Sequence, residues 1–449
     1  MSKQLFGTDG IRGVANQAPI TPEVALRIGR AVARVLPANK GTHKVIIGRD
    51  TRISGTMLES AIISGLISEG SEVILAGVAP TPAIAYLTHT MGCDAGIMLT
   101  ASHNPYHDNG IKIFGADAYK LSDSQELDVE AIILADELTP PATDTELGHI
   151  STIDDATTRY AEFTQDTVSD KDFKGLKVVL DCANGAAYLV AEQIFKNLGI
   201  EVIALSTEPN GKNINANCGA LHPEHAAAAV LKHDADIGIC FDGDADRVIF
   251  CDEKGNVIDG DSMLCLCAKA LKEDGKLKHN TMVATVMSNL GMRDALAHDS
   301  IALETTGVGD KLVLERMREK DYNLGGENSG HIIYADHATT GDGIMSALMV
   351  LSLINKKKQS ISTLANCMQI YPQVLLAMEV SEKPPIEKIP ELTAAIKAAE
   401  TAFADNGRVL VRYSGTERKI RILTECNDAT LAKSQEDLIV AAVTASIGV

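Results

Sequence analysis

Tryptophan is absent from this chain, and phenylalanine and tyrosine together supply only 4% of its residues. Its core must therefore be built from Ile, Leu, Val, Ala and Met. Long apolar runs are lacking as well. The longest candidate, Gly343 to Ile354, is far short of the roughly 20 apolar residues a bilayer span takes and reads as a buried helix. The opening string, Met1-Ser2-Lys3-Gln4-Leu5-Phe6-Gly7, has no apolar signal region, so a cytoplasmic location is expected and no membrane partner. The nine cysteines are odd in number and contain no Cys-x-x-Cys pair, and Cys265 and Cys267 stand too close for zinc-finger spacing. They are expected to be reduced, mostly structural thiols. Positive charge is also scarce. Forty-one Lys and Arg face 60 Asp and Glu, for a formal charge of −19, which argues against a nucleic-acid surface. If the ligand is anionic, concentrated local cations and backbone N–H groups must overcome that field.

What is present is a repeated α/β design. The chain of 449 residues has room for roughly three or four domains of about 100–200 residues each. Thr21-Pro22 followed by Glu23 to Leu36 predicts a helix: Thr caps it, Pro takes the first position, and Val24, Ile28, Ala31, Val32 and Val35 share a face. Ser54 to Ser68 repeats that pattern. Between such helices lie short apolar strands that run directly into polar loops. Gly96–Leu99 precedes Ser102, Lys177–Leu180 precedes Asp181–Gly185, Ile237–Phe241 precedes Asp242, and Asn323-Leu324 precedes Gly325–His331. Polar residues just past buried strand ends are where open α/β sheets place ligands. Composition suggests boundaries at Leu138–Thr143, near Asp252–Asn256, and at Tyr371-Pro372 with Lys383–Pro385. The expected domains are 1–150, 151–253, 254–368 and 369–449. The last reads as a small α+β unit, with strands at Arg408–Arg412 and Lys419–Leu423 and a helix from Thr430 onward.

Asp242-Gly243-Asp244-Ala245-Asp246-Arg247 sets three carboxylates at alternate positions, a pattern suited to Mg²⁺ with phosphate and water oxygens completing the shell. An EF-hand fails here, because Arg247 stands where the loop needs glycine and Val248-Ile249-Phe250 reads as a strand. The bland alternative is a solvated acidic turn. Ser102, in Thr100-Ala101-Ser102-His103-Asn104-Pro105, is a candidate phosphate carrier; alone it would pass for a turn residue, and no Gly-x-Ser-x-Gly elbow marks it as a hydrolase serine. Arg412-Tyr413-Ser414-Gly415-Thr416-Glu417, with Arg421 beyond, can hold an anion through hydroxyls, backbone N–H groups and guanidinium forks, or be a plain hairpin. Gly325–His331 is neither a Walker loop nor a dinucleotide fingerprint; Glu327, Ser329 and His331 suit sugar hydroxyls, and a flexible turn is the alternative. Thr306–Lys311 supplies a further cation, or simply opens a helix. Gly7–Gly13 and Asn109–Lys112 each bring one cation, Arg12 and Lys112, into a glycine-rich setting.

Taken in order over nearly the whole chain, these strings resemble the α-D-phosphohexomutase superfamily, and within it the branch that acts on glucosamine phosphates. The opening Phe6-Gly7-Thr8-Asp9-Gly10-Ile11-Arg12-Gly13 has the form of that branch. The resemblance implies an α/β, four-domain architecture: three related α/β domains with mixed sheets and a C-terminal α+β domain like the TATA-binding protein, set around a central cleft. It implies that Ser102 is the modified residue, a phosphoserine that donates and regains the phosphoryl group. Asp242, Asp244 and Asp246 match its Mg²⁺ ligands, one ion per subunit, with the Ser102 phosphate as a further ligand. Arg12, His103, Lys112, Arg247 and His331 match residues near the reacting groups. Lys311, Glu327 and Ser329, with the phosphate contacts Arg412, Ser414, Gly415, Thr416 and Arg421, match the substrate site. A glucosamine 1,6-bisphosphate is the implied intermediate and activator, a phosphosugar the partner, and a homodimer the expected assembly. Two positions depart from the family pattern: Arg418 replaces the usual proline, and Asn328 the glutamine frequent on this branch. Neither removes a proposed ligand.

Overall fold

The computed structural model describes residues 3–38, 41–135, 143, 146–414 and 418–448. The expected linker stretch 138–142 and the pair Gly415-Thr416 lie outside them. The chain forms two compact units: residues 1–287 with 300–367, and residues 288–299 with 368–449.

The larger unit contains three sheets. The first is built from β1 (Ile11–Val14), β2 (Lys44–Arg49), β3 (Glu72–Val78), β4 (Ala95–Leu99), β5 (Asp108–Gly115) and β6 (His149–Thr152), in the order β1-β5-β4-β2-β3-β6. The second joins β7 (Lys177–Asp181), β8 (Glu201–Leu205), β9 (Ile237–Phe241), β10 (Val248–Asp252) and β11 (Val257–Ile258) in the order β11-β10-β9-β7-β8. The third holds β12 (Thr281–Thr285), β13 (Ala302–Thr306), β14 (Leu324–Gly326) and β15 (Ile332–Tyr334) in the order β13-β12-β14-β15.

One topological motif recurs in all three. A parallel pair (β2 with β4, β7 with β9, β12 with β14) is followed by an antiparallel return (β4 to β5, β9 to β10, β14 to β15). The connection at that return carries Ser102 in the first sheet, Asp242–Arg247 in the second and Glu327–His331 in the third. Strands β4, β9, β10, β14 and β15 are buried along their whole length, which is why they read as short apolar runs rather than alternating ones. The turn at Asp252–Asn256 joins β10 to β11, and both remain in the second sheet.

The helix predicted after Thr21 spans Pro22–Val35, with the Thr21 hydroxyl accepting from Val24 N–H. It crosses the helix Gly55–Ser68 at very close range: a Cβ on Gly65 would lie 2.1 Å from the Leu26 carbonyl oxygen. Its buried face is Ala25, Ile28, Gly29, Ala31 and Val32; Val24 and Val35 sit at the margin of that face rather than inside it. The apolar run at Gly343 is the buried helix Gly343–Lys357, capped by Asp342, whose carboxylate accepts from Met345 N–H. Among the described residues no helix is long and apolar enough to cross a membrane.

The smaller unit is a three-stranded antiparallel sheet, β16 (Gln373–Glu379), β17 (Gly407–Tyr413) and β18 (Lys419–Cys426), in the order β16-β18-β17. The helices Pro390–Phe403 and Ala429–Ile447 supply Leu392, Ala399, Phe403, Ile439 and Val443 to its core. β16 and Pro390–Phe403 were not foreseen from the sequence, whereas both strands and the helix expected after Arg408 are present.

Candidate active site

Ser102 is 1% exposed and adopts a left-handed backbone, φ 51°. Its carbonyl is held by Arg52 Nη2 at 2.9 Å and Asn215 Nδ2 at 2.9 Å, while its own N–H donates to Thr100 Oγ1 at 2.9 Å. Arg52 is itself locked onto the fully buried Asp50 at 2.8 Å. Those bonds offset the strain of a non-glycine left-handed residue and aim the hydroxyl at the acidic loop, where Ser102 Oγ donates to Asp242 Oδ2 at 2.5 Å. Gly243 permits this approach, since a Cβ there would lie 2.5 Å from the Ser102 carbonyl oxygen.

Asp242, Asp244 and Asp246 are all buried and each offers an oxygen within 4.8 Å of the others. Thr81 Oγ1 donates to Asp244 Oδ2 at 2.5 Å, and Lys112 Nζ lies 2.9 Å from Asp244 Oδ2 and 2.7 Å from Asp246 Oδ2. The opposite oxygens, Asp244 Oδ1 and Asp246 Oδ1, are buried without a hydrogen-bond partner. Burial, together with the charges of Asp244 and Asp246, pushes the Asp242 carboxyl well above its ordinary value. Burial also opposes ionisation of Asp246, but Lys112 and His331 outweigh it and hold that carboxyl well below the usual range. Orphaned carboxylate oxygens in a buried, mutually repelling trio fit a hard divalent cation, which would satisfy both the oxygens and the charge.

The other cations and hydroxyls meet the same seam. Arg247 Nη1 donates to His103 Nδ1 at 2.8 Å, and Ser102 Oγ is 3.2 Å from that nitrogen. Burial, then Arg247 and Arg12, lower His103 to about 4, so its ring is neutral and accepts. His331 lies between Asp246, 3.6 Å from Nδ1, and Asp310, 3.5 Å from Nε2, and the Gly341 N–H points at Nε2 from 3.1 Å. Arg12 pairs with Asp9. Arg12 Nε, Arg247 Nε and Ser329 Oγ are buried and unpartnered, so the site holds spare donors for an incoming anion or hydroxyl. Glu327 is buried and accepts from Gly309 N–H at 3.2 Å.

Lys311 is not brought to this cluster. Its loop opens the helix Asp310–Lys320, and its Nζ sits 2.7 Å from Asp123 and 3.0 Å from Glu126, two carboxylates that already take its charge. In the smaller unit, Arg412 and Arg421 face each other directly across β17 and β18, and Ser414 N–H donates to the Lys419 carbonyl at 2.8 Å. Asp9, Lys120 and Asp310 escaped the sequence reading. Asp9 stood inside the noted Gly7–Gly13 string and Asp310 inside Thr306–Lys311, but nothing in their spacing signals that they meet.

Profiles of the phosphoglucomutase/phosphomannomutase family match along the chain: α/β/α domain I at residues 3–139, domain II at 158–255, domain III at 259–371 and the C-terminal domain at 375–442. The phosphoglucosamine mutase of Citrifermentans bemidjiense is 50% identical over 95% of this chain and 94% of its own length. That of Anaeromyxobacter dehalogenans is 49% identical over the whole of both chains. The chain belongs to the phosphohexomutases, on the phosphoglucosamine mutase branch. As a phosphohexomutase it is an isomerase, with three α/β domains and a distinct C-terminal domain. A crystal structure of a phosphoglucomutase/phosphomannomutase family protein from Burkholderia thailandensis superposes with a TM-score of 0.81, at 25% identity, covering 98% of this chain and 97% of that one. The N-acetylphosphoglucosamine mutase of Aspergillus fumigatus, solved with GlcNAc-6P and magnesium, shares the fold with a TM-score of 0.68 at 17% identity, over 98% and 96% of the two chains. Within this phosphohexomutase, the buried Asp242-Asp244-Asp246 group is the candidate metal site.

Proposed function

We propose that this phosphohexomutase interconverts glucosamine 6-phosphate and glucosamine 1-phosphate, in supply of amino-sugar cell-wall precursors, with Ser102 carrying the phosphoryl group. The observation that carries the reading is the buried contact of Ser102 Oγ with Asp242, beside Asp244, whose Oδ1 has no hydrogen-bond partner, and Asp246, whose Oδ1 has only His331 at 3.6 Å. In the forward half, the P–Oγ bond of phospho-Ser102 breaks and a P–O bond forms to the C1 hydroxyl, whose proton leaves. The resulting 1,6-bisphosphate turns over, and Ser102 Oγ takes back the C6 phosphoryl group. Mg²⁺, one per chain on Asp242, Asp244, Asp246 and the Ser102 phosphate, would offset the charge of the transferring group. Arg12, His103, Lys112, Arg247 and His331 surround that group, orient it and handle the hydroxyl proton. Glu327 and Ser329 receive sugar hydroxyls, and Arg412, Ser414, Gly415, Thr416 and Arg421 hold the phosphate not being transferred. Catalysis is mainly positioning and electrostatics.

The domain partition 1–150, 151–253, 254–368 and 369–449 goes with this reading, supported by where the family profiles begin and end. So do a cytoplasmic location and a homodimer. The test is ³¹P NMR of the protein with Mg²⁺, given glucosamine, glucose or mannose 6-phosphate in separate tubes, each primed with its own 1,6-bisphosphate. A 1-phosphate signal growing fastest from glucosamine is expected. Preference for glucose or mannose would overturn the substrate, and free phosphate alone would mean a phosphatase.

A further inference from the structure

Lys112 is buried; its ammonium hydrogen-bonds Asp244 Oδ2 at 2.9 Å and Asp246 Oδ2 at 2.7 Å, and forms an ion pair with Asp9 Oδ2 at 3.1 Å. It thus bridges the acidic loop and a fourth carboxylate that is not in that loop. Asp9 in turn holds Arg12 and Lys120, and Lys120 also pairs with Asp310. Asp310 faces His331 Nε2 at 3.5 Å, and His331 Nδ1 faces Asp246 at 3.6 Å. Asp246, Lys112, Asp9, Lys120 and Asp310 form a continuous chain of ion pairs, and His331 sits between its two ends. These contacts tie the turn before β1 and strand β5 of the first sheet to the acidic loop of the second, and to the His331 loop and the helix Asp310–Lys320 of the third.

A divalent cation that takes the free Oδ1 atoms of Asp244 and Asp246 neutralises the two carboxylates whose Oδ2 atoms hold Lys112, and repels its ammonium. An ammonium pushed off them with no other partner would be a buried, unpaired charge, which is strongly unfavourable. Asp9 removes that cost. We propose that Asp9 is a positioning residue for Lys112: it takes over the ammonium when a divalent cation occupies the acidic loop, and Lys120 with Asp310 fixes the carboxylate where it can do so. Lys112 then stays beside the Ser102 phosphate instead of competing with the metal. The inference rests on the metal reading above and concerns how this chain makes room for the ion.

Isothermal titration with Mg²⁺ alone, on the full chain, reads this without reference to turnover. Asp9→Asn leaves Lys112 wholly on Asp244 and Asp246, so Mg²⁺ affinity falls about tenfold, equivalent to about 1.4 kcal/mol. Lys112→Met removes the competitor and tightens binding. In the double variant Asp9→Asn/Lys112→Met the loss caused by Asp9→Asn disappears, to within about twofold. Lys120→Met, which loosens Asp9 without touching the loop, lowers affinity by a smaller factor, and Lys120→Arg restores it; this pair carries the test if Asp9→Asn does not fold. Unchanged affinity in Asp9→Asn and Lys120→Met overturns the inference. So does a loss of equal size in the Lys112→Met background, because Asp9 would then act only as distant charge. If the unaltered chain binds no Mg²⁺, the metal reading fails and the inference with it.

Discussion

Ser102 owes its reach to neighbours distant in sequence. Arg52, Thr100 and Asn215 bond its backbone and leave the hydroxyl free to point at Asp242. Ser102→Ala keeps those backbone bonds and removes only the group that would carry phosphate. Its turnover, followed as 1-phosphate formation, is expected to fall by on the order of 10³-fold or more, with a loss of stability no larger than about 1–3 kcal/mol, that of the buried bond to Asp242. A second residue tests buried electrostatics behind the acidic loop, where Gly343 N–H donates to the Ala245 carbonyl at 3.0 Å. Asp342 caps the helix Gly343–Lys357 and accepts from Tyr160 Oη at 2.8 Å, while its Oδ2 is buried and unpartnered. Burial raises its carboxyl to about 6. An unfolded aspartate titrates near about 3.9, so between about pH 4 and pH 6 the folded chain keeps a proton that the unfolded chain has lost. Stability therefore falls as pH rises through that window and levels off above it. Asp342→Asn keeps the Oδ1 acceptor and cannot ionise. Its melting temperature should match the parent near pH 4 and exceed it above pH 6, by the equivalent of about 3 kcal/mol. An offset that does not change with pH would sink this account.

At the scale of elements, the same strand-to-loop step is used three times. A buried parallel strand ends, the chain turns through a polar loop, and an antiparallel strand returns beside it. The apolar runs made the strands legible, and the polar residues past their ends made the loops legible. The antiparallel returns were not, because buried strands of either direction have the same continuous apolar pattern. β16 carries the apolar run Val374-Leu375-Leu376-Ala377, yet the folded strand alternates between more and less exposed positions, so it is not a buried strand of the kind that run suggests. Helix contact makes its own prediction. Gly65→Ala puts a methyl 2.1 Å from the Leu26 carbonyl, and the helices Pro22–Val35 and Gly55–Ser68 must separate. Overpacking of this kind costs about 1–3 kcal/mol. Differential scanning calorimetry should show a melting temperature several degrees lower, with kcat at 25 °C unchanged.

Across the whole molecule, a chain of net charge −19 handles phosphate by concentrating its cations where the sheets' loops meet. Arg12, Lys112 and Arg247 offset the half-buried carboxylate of Asp9 and the buried ones of Asp242, Asp244 and Asp246, and a divalent cation would complete the balance. Chelation should therefore cost stability as well as activity. Mg²⁺ at about 100 times its Kd stabilises a protein that binds it only when folded by about 2.7 kcal/mol. A melting temperature that rises with Mg²⁺ in the parent, but not in Asp242→Asn/Asp244→Asn, is the expected result; equal rises in both would place the ion elsewhere.

The sequence by itself determined the kinds of group available and the strands that present them. Ser102, the three aspartates, the Glu327–His331 loop and the Arg412/Arg421 strands could be named from local strings, because each lies at the end of an element whose pattern is local. Only the tertiary structure decided which charges answer one another. Asp9 and Asp310 both pair with Lys120, and Lys311 meets Asp123 and Glu126, through contacts between residues more than a hundred positions apart. Side-chain spacing along a strand or helix carries no information about such pairs. Which carboxylate an ammonium meets is set by how the sheets dock, and that depends on the burial of the whole core.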